Sequence, residues 1–218
     1  MQESIIKASN LILCERLEIA QFMQCYFKHL LGKGMKLPKL QVFSFKVPDN
    51  LDAFIEQLLE DENFSQLERV LIFAEVGPKL NAREMTIIKA EKQLTDCSGL
   101  EVNYYLFPGL KTKKRWEFGY LEDALVKALA KDSAGGIDSF NMKNMAEEYL
   151  LSVNLYRGKI ARFQNPSRHI LAAYFAGTEK FAGLRLGEAM ALNAFDLDHE
   201  VFAPLELRIS EFFGSTQS

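Results

Sequence analysis

Glu68-Arg69-Val70-Leu71-Ile72-Phe73-Ala74-Glu75-Val76-Gly77-Pro78 is the stretch whose reading decides the fold. It is an apolar run that stops on a carboxylate and breaks at Gly-Pro. Such a run, bounded by turn signals, is the pattern of a strand buried on both faces. In α/β proteins, chemistry gathers just past the ends of such strands. Glu75 is therefore the first candidate site residue.

The sequence on either side fits the same architecture. Upstream, Leu11-Ile12-Leu13-Cys14 is a brief apolar run ending in Glu15, and it reads as a first strand. From Arg16 to about Leu31, apolar residues recur at three and four, which predicts an amphipathic helix ended by Gly32 and Gly34. Leu40 to Val47 alternates as a second strand, stopped by Pro48. Asp49 or Asn50 then caps a helix through Leu51, Phe54, Ile55, Leu58 and Leu59. Downstream, Asn81 reads as the cap of a third helix, with Glu84 as its capping-box partner. Met85, Ile88, Ala90 and Leu94 form its expected face, and Ser98-Gly99 its end. Val102 to Phe107 is a fourth strand, broken by Pro108-Gly109. This β-α-β-α-β-α-β order, with crossover-length connections, predicts a mostly parallel four-stranded sheet between helices.

Beyond Phe107 the character changes. Lys111, Lys113, Lys114 and Arg115 lead into Trp116, and a helix follows through Tyr120, Leu121, Ala124, Leu125, Ala128 and Leu129. Asp132-Ser133-Ala134-Gly135-Gly136 reads as a linker. After it only helical periods remain, about Phe140–Tyr156, Pro166–Gly177, Leu186–Asn193 and Asp198–Phe213. The expected organisation is an α/β domain over residues 1–131 and a helical extension over 132–218, packed on it.

Composition narrows the function classes. The chain has 218 residues, 48% hydrophobic and 25% charged, which suits one sizeable core. A net charge of −3 supplies no global field for nucleic acid, so such binding needs a local patch. Three scattered cysteines and three histidines argue against a disulfide framework and a zinc site, and suit a reducing, cytoplasmic setting. No signal peptide is read at the N-terminus, and no apolar stretch approaches the ~18 residues of a membrane span. Gly-x-Gly-x-x-Gly, Gly-x-x-x-x-Gly-Lys-Ser/Thr and Gly-x-Ser-x-Gly are all absent, so dinucleotide binding, P-loop hydrolysis and α/β-hydrolase chemistry have no support.

Four short motifs, in this order, carry a family resemblance. They are Leu11-Ile12-Leu13-Cys14-Glu15; Phe73-Ala74-Glu75 with Arg83 beyond it; Phe107-Pro108 followed by Gly119-Tyr120-Leu121-Glu122-Asp123; and Phe195-Asp196-Leu197-Asp198-His199 with Phe202 and Leu205. Together they resemble a Toprim-related family of unknown function, distant kin of the domain in topoisomerases, primases and overcoming-lysogenization-type nucleases. The resemblance implies a Toprim-like parallel sheet. It implies Glu15 as a catalytic acid or base, and Glu75, Glu122 and Asp123 as ligands of a magnesium ion. Magnesium suits such a place because it takes a few hard carboxylate oxygens and keeps its waters. Lys113, Lys114 and Arg115 would clamp a phosphate-containing ligand or nucleic acid, with Trp116 stacking on a base.

The sequence departs from that pattern twice. Arg16 stands where Toprim proteins usually carry glycine, and Phe73 stands where they hold the first aspartate of Asp-x-Asp. Arg16 can pair with Glu15 or Glu75 and take over a metal's charge, which neutralises the degenerate site. Two functional readings follow. One is a non-catalytic binding or regulatory module on a Toprim-like scaffold. The other is a magnesium-dependent nuclease or phosphoryl-transfer enzyme. The oligomeric state is not legible.

Each candidate also has a plain structural role. Glu15, Glu122 and Asp123 sit where acids favour a helix start by about 0.3–1 kcal/mol. Asp198 reads as the cap of the last helix and Asp196 as a turn residue. Cys14 reads as core packing, and His169 and His199 as surface or helix-end residues.

Overall fold

The computed structural model describes residues 4–45, 51–75, 80–107, 111–112, 115–116, 119–129, 139–157 and 165–214. The first seven elements are β1 (Asn10–Cys14), α1 (Leu17–Gly32), β2 (Leu40–Ser44), α2 (Leu51–Leu59), β3 (Arg69–Glu75), α3 (Leu80–Ser98) and β4 (Glu101–Phe107). Their strands form one parallel sheet in the order β2-β1-β3-β4. The chain is thus an α/β protein of the kind expected. β1 and β3 are the inner strands, which is why their sequences are apolar without alternation.

The side-chain period of two divides the sheet into faces. Leu11, Leu13, Val70, Ile72, Ala74 and Leu106 form one core with Leu51, Phe54, Ile55 and Leu58 of α2 and Ile87, Ala90 and Leu94 of α3. The alternate residues Ile12, Cys14, Leu71, Phe73, Tyr105 and Phe107 are buried on the other face. There Phe22 of α1 meets Phe107 edge-on at 5.9 Å and stacks on Tyr26 at 5.4 Å. Each such side chain, fully buried, contributes roughly 1.5–3 kcal/mol relative to exposure.

After β4, Lys111–Thr112 (β5) and Arg115–Trp116 (β6) pair antiparallel. Helices α4 (Leu121–Lys127), α5 (Ser139–Arg157), α6 (Pro166–Ala176), α7 (Leu186–Ala191) and α8 (Ala203–Gly214) follow. A 3-10 turn at Glu200–Phe202 precedes α8.

The contacts divide the chain into two compact units, residues 1–119 with 203–218, and residues 120–202. The sequence reading divides it instead at 131/132. α8 belongs to the sheet-bearing unit: it packs on β4, and its Glu206 lies 3.6 Å from Lys33 after α1. In the second unit, α6 packs on α4 and α5. Leu121, Leu125, Leu171, Tyr174, Phe175, Phe181 and Phe195 are buried in it, with Phe175 within 5.8 Å of Phe181 and 6.2 Å of Phe195. The Asp196 N–H donates to the Ala128 carbonyl at 2.7 Å, beside an antiparallel bridge of Leu129 and Phe195.

Several local readings are corrected. Asn81 lies inside α3, which begins at Leu80. The buried stripe of α3 is Ile87, Ala90 and Leu94; Met85 and Ile88 are 71% and 44% exposed. The spacing of 87, 90 and 94 keeps one helical face, whereas 85 and 88 lie off it. The helix expected through Leu129 ends at Lys127, because Leu129 is taken by the bridge to Phe195. Asp198 does not cap the last helix, which starts at Ala203 after the 3-10 turn. Asp196 does shape the turn: its Oδ1 accepts the Asp198 N–H at 3.0 Å. Gly99 closes α3 at φ +66°, where a side chain would be strained. The second strand, expected to Val47, is seen over Leu40–Ser44; residues 46–47 and the expected linker at 132–136 lie outside the described residues.

One stabilising cluster had no sequence signal. Asp61, just past α2, accepts the Ile5 N–H at 2.6 Å, the Ser4 hydroxyl at 2.7 Å and the Asn63 N–H at 2.9 Å. The Asn63 amide donates to Ser4 Oγ and the Ile6 carbonyl. The Gln41 side chain accepts from Lys7 N–H and donates to the Ile5 carbonyl, both at 2.7 Å. These bonds pin residues 4–7, and Ile6 enters the core at 2% exposure.

Candidate functional site

β1 and β3 are neighbours, but the chain leaves β1 toward β2 on one flank and leaves β3 toward β4 on the other. Their carboxyl ends form a topological switch point, where the crossovers diverge and open α/β sheets bind ligands. Glu15, Arg16 and Glu75 meet there.

The meeting is built from backbone upward. The Glu15 N–H donates to the Phe73 carbonyl at 2.9 Å, which extends the β1–β3 ladder one residue past Cys14. That bond brings the Glu15 carboxylate to the end of β3, where Oε2 accepts the Glu75 N–H at 2.8 Å. Arg16 is the extended residue ahead of α1, at φ −129° and ψ 157°, and its Nη2 lies 2.8 Å from Glu75 Oε1. The three residues thus close a chain of contacts across the two strands: Glu15 to the Glu75 backbone, and the Glu75 side chain to Arg16. Glu15 and Glu75 are 3% and 2% exposed. The Arg16 side chain is 21% exposed, so the pair is shielded from one side and touched by water from the other.

Phe73 is wholly buried, with its ring 5.9 Å from Tyr105 and 6.1 Å from Phe107. The place that the resemblance gives to an aspartate is therefore part of the aromatic core. Among the described residues, no group of three or more His, Cys, Asp or Glu is arranged to hold a metal ion.

Glu122 and Asp123 lie in the first turn of α4, in the other unit. Asp123 accepts the Tyr120 N–H at 2.7 Å and the Ser167 hydroxyl. Glu122 is 2% exposed and accepts from the Asn165 amide at 3.2 Å. Asn165 in turn caps α6 by accepting the Arg168 N–H, so the two acids tie the starts of α4 and α6 together. Lys113 and Lys114 lie outside the described residues, and Arg115 is described only as backbone in β6. His169 is exposed, and His199 Nδ1 accepts the Val201 N–H at 3.2 Å.

Cys14 is fully buried beside this edge, and burial pushes its thiol far above the ordinary range. It cannot serve as a nucleophile, which needs the thiolate. Cys25 is raised by burial too, with Lys28 pulling the other way.

The sequence offered Arg16 two carboxylates; the adjacency of β1 and β3 gives it Glu75. The bond from Glu15 to the Glu75 amide had no sequence signal, because it depends on strand order. Compared with protein-family models, curated proteins and solved structures, the chain matches none.

Proposed function

We propose that this chain is a non-catalytic binding or regulatory module on a divergent Toprim-like scaffold, with Arg16 as the resident positive charge of its carboxyl edge. The observation that carries this reading is the 2.8 Å contact between the Arg16 guanidinium and the buried Glu75 carboxylate. Magnesium asks for several carboxylate oxygens with room for waters. Here one Glu15 oxygen is engaged by a backbone N–H, Glu75 holds a guanidinium, and a buried ring replaces the other acid. The described residues do not fit the ion.

The ligand class we favour is phosphate-containing, nucleic acid included. A partly exposed arginine at a switch point supports it, as does the Lys113-Lys114-Arg115 run that follows β4. A cytoplasmic setting belongs to the same proposal; Cys14 and Cys25 are unbridged. No helix among the described residues is long and apolar enough to cross a membrane.

The test is calorimetric titration of the whole protein with magnesium and manganese, repeated on Glu75→Gln. The expected result is no saturable heat in either. Stoichiometric binding that Glu75→Gln abolishes would overturn the proposal in favour of the magnesium-dependent nuclease or phosphoryl-transfer enzyme. The convergence of Glu15 and Glu75 at one strand edge is what speaks for that alternative.

A further inference from the structure

β4 is an edge strand: among the described residues no strand pairs with its outer side. An unpaired edge is a template for strand addition by another chain. The segment Val102-Asn103-Tyr104-Tyr105-Leu106-Phe107 has the composition that favours such addition, β-branched and aromatic with no charge and no proline.

The direction of each peptide group follows from the ladder. The Glu101 N–H donates toward β3, to the Glu68 carbonyl at 3.2 Å. Peptide groups alternate along a strand, so Asn103, Tyr105 and Phe107 also face β3, while Val102, Tyr104 and Leu106 turn outward. Packing covers the far end, where Leu106 is 2% exposed. The near end carries Glu101, whose carboxylate is held by Arg69 at 2.8 Å. Val102 to Tyr104, half-buried, is the accessible part between them. There Asn103 Oδ1 accepts the Tyr104 N–H at 2.8 Å.

We infer that Asn103 guards the β4 edge against strand addition. Its amide occupies the donor that an incoming strand would need at the centre of the accessible part. Its side chain also stands in the space of a backbone that would lie about 4.8 Å away. Only the Val102 groups and the Tyr104 carbonyl then remain for pairing between the charged end and the covered end.

Sedimentation velocity on the whole protein tests this with three variants. Asn103→Val removes the acceptor, Asn103→Asp keeps one, and Tyr104→Pro deletes the outward N–H at a position where an edge tolerates proline. The average mass of Asn103→Val should rise with concentration across roughly 10–500 µM, the range in which open edges associate. Wild type, Asn103→Asp and Tyr104→Pro should coincide. An Asn103→Val curve that overlays wild type overturns the inference. So does a wild-type self-association that Tyr104→Pro abolishes, because the edge would then already hold a second copy. Amide exchange on the wild type needs no variant: Tyr104 should exchange more slowly than Val102, and equal rates overturn the guard.

Discussion

Replacing Arg16 by Gln tests the electrostatics of the carboxyl edge most directly. The Glu75 side chain keeps 3% of its surface exposed, so losing the guanidinium takes a charge-assisted partner from a nearly dry carboxylate. Breaking a fully buried pair from one side costs about 3–5 kcal/mol. Arg16 retains 21% exposure, so water can enter the vacated volume and the cost falls to about 2–3 kcal/mol. The reverse change, Glu75→Gln, leaves a guanidinium that water can reach and an amide oxygen that still accepts; it should cost about 1 kcal/mol. The double variant should be more stable than Arg16→Gln alone, since the buried carboxylate is then neutral. In a chain of this length, the larger loss lowers Tm by roughly 5–10 °C. Because the chain has two compact units, urea unfolding at pH 7 and low salt should be read by amide exchange within the sheet, not from one global midpoint. The reasoning is refuted if Glu75→Gln costs more than Arg16→Gln, or if the two losses simply add.

Other outcomes follow from the same geometry. Phe73→Asp should cost at least about 4 kcal/mol, the loss of a core ring plus a buried carboxylate, and leave little folded protein by circular dichroism; a stable variant that binds magnesium would contradict the burial argument. For Asp61, desolvation is the largest single influence and raises the carboxyl, but hydrogen bonds from Ser4, Asn63, Ile5 and Ile6 together carry it below 3.8. A lowered folded value means stability present above the unfolded value and lost as pH falls through the folded one. Asp61→Asn should therefore weaken the protein at pH 7 by less than about 1 kcal/mol, given its exposure to solvent, with the difference closing below pH 3.8 in urea titrations. Cys14 should resist a thiol reagent until the protein unfolds, and stability should decline as pH rises past the ordinary thiol value of 9.0, where only the unfolded chain can release the proton. Labelling of Cys14 at native rates equal to those in urea would show that β1 is not buried.

The sheet was legible because its cause is local. Val70 to Ala74 is apolar on both parities, and only a strand covered on both faces uses such a run. The helical face of α3 was misread by one position, because Met85 and Ile88 satisfy a three-residue step without lying on the stripe of Ile87, Ala90 and Leu94. Asn81 carried a capping signature but fell within the helix, which the chain entered two residues earlier than the cap chemistry alone suggests. At the candidate site, Glu15, Arg16 and Glu75 were each visible as residues. Their contact joins positions 59 and 60 apart and exists only because β1 lies beside β3 rather than β2 alone. The Asp61 cluster is of the same kind: its partners at Ser4 and Ile5 are 57 and 56 residues distant, and no short pattern announces them.

The sheet-bearing unit is discontinuous in sequence: it includes residues 1–119 and takes α8 only after residues 120–202 have intervened. On a ribosome, that order imposes a wait. At about 5–20 residues per second, the interval between completing β4 at Phe107 and making α8 from Ala203 is roughly 5–20 s. Throughout it the sheet has its strands, but β4 lacks the helix that packs on it. A chain cut short before Ala203 would carry the whole sheet without the last helix of its unit.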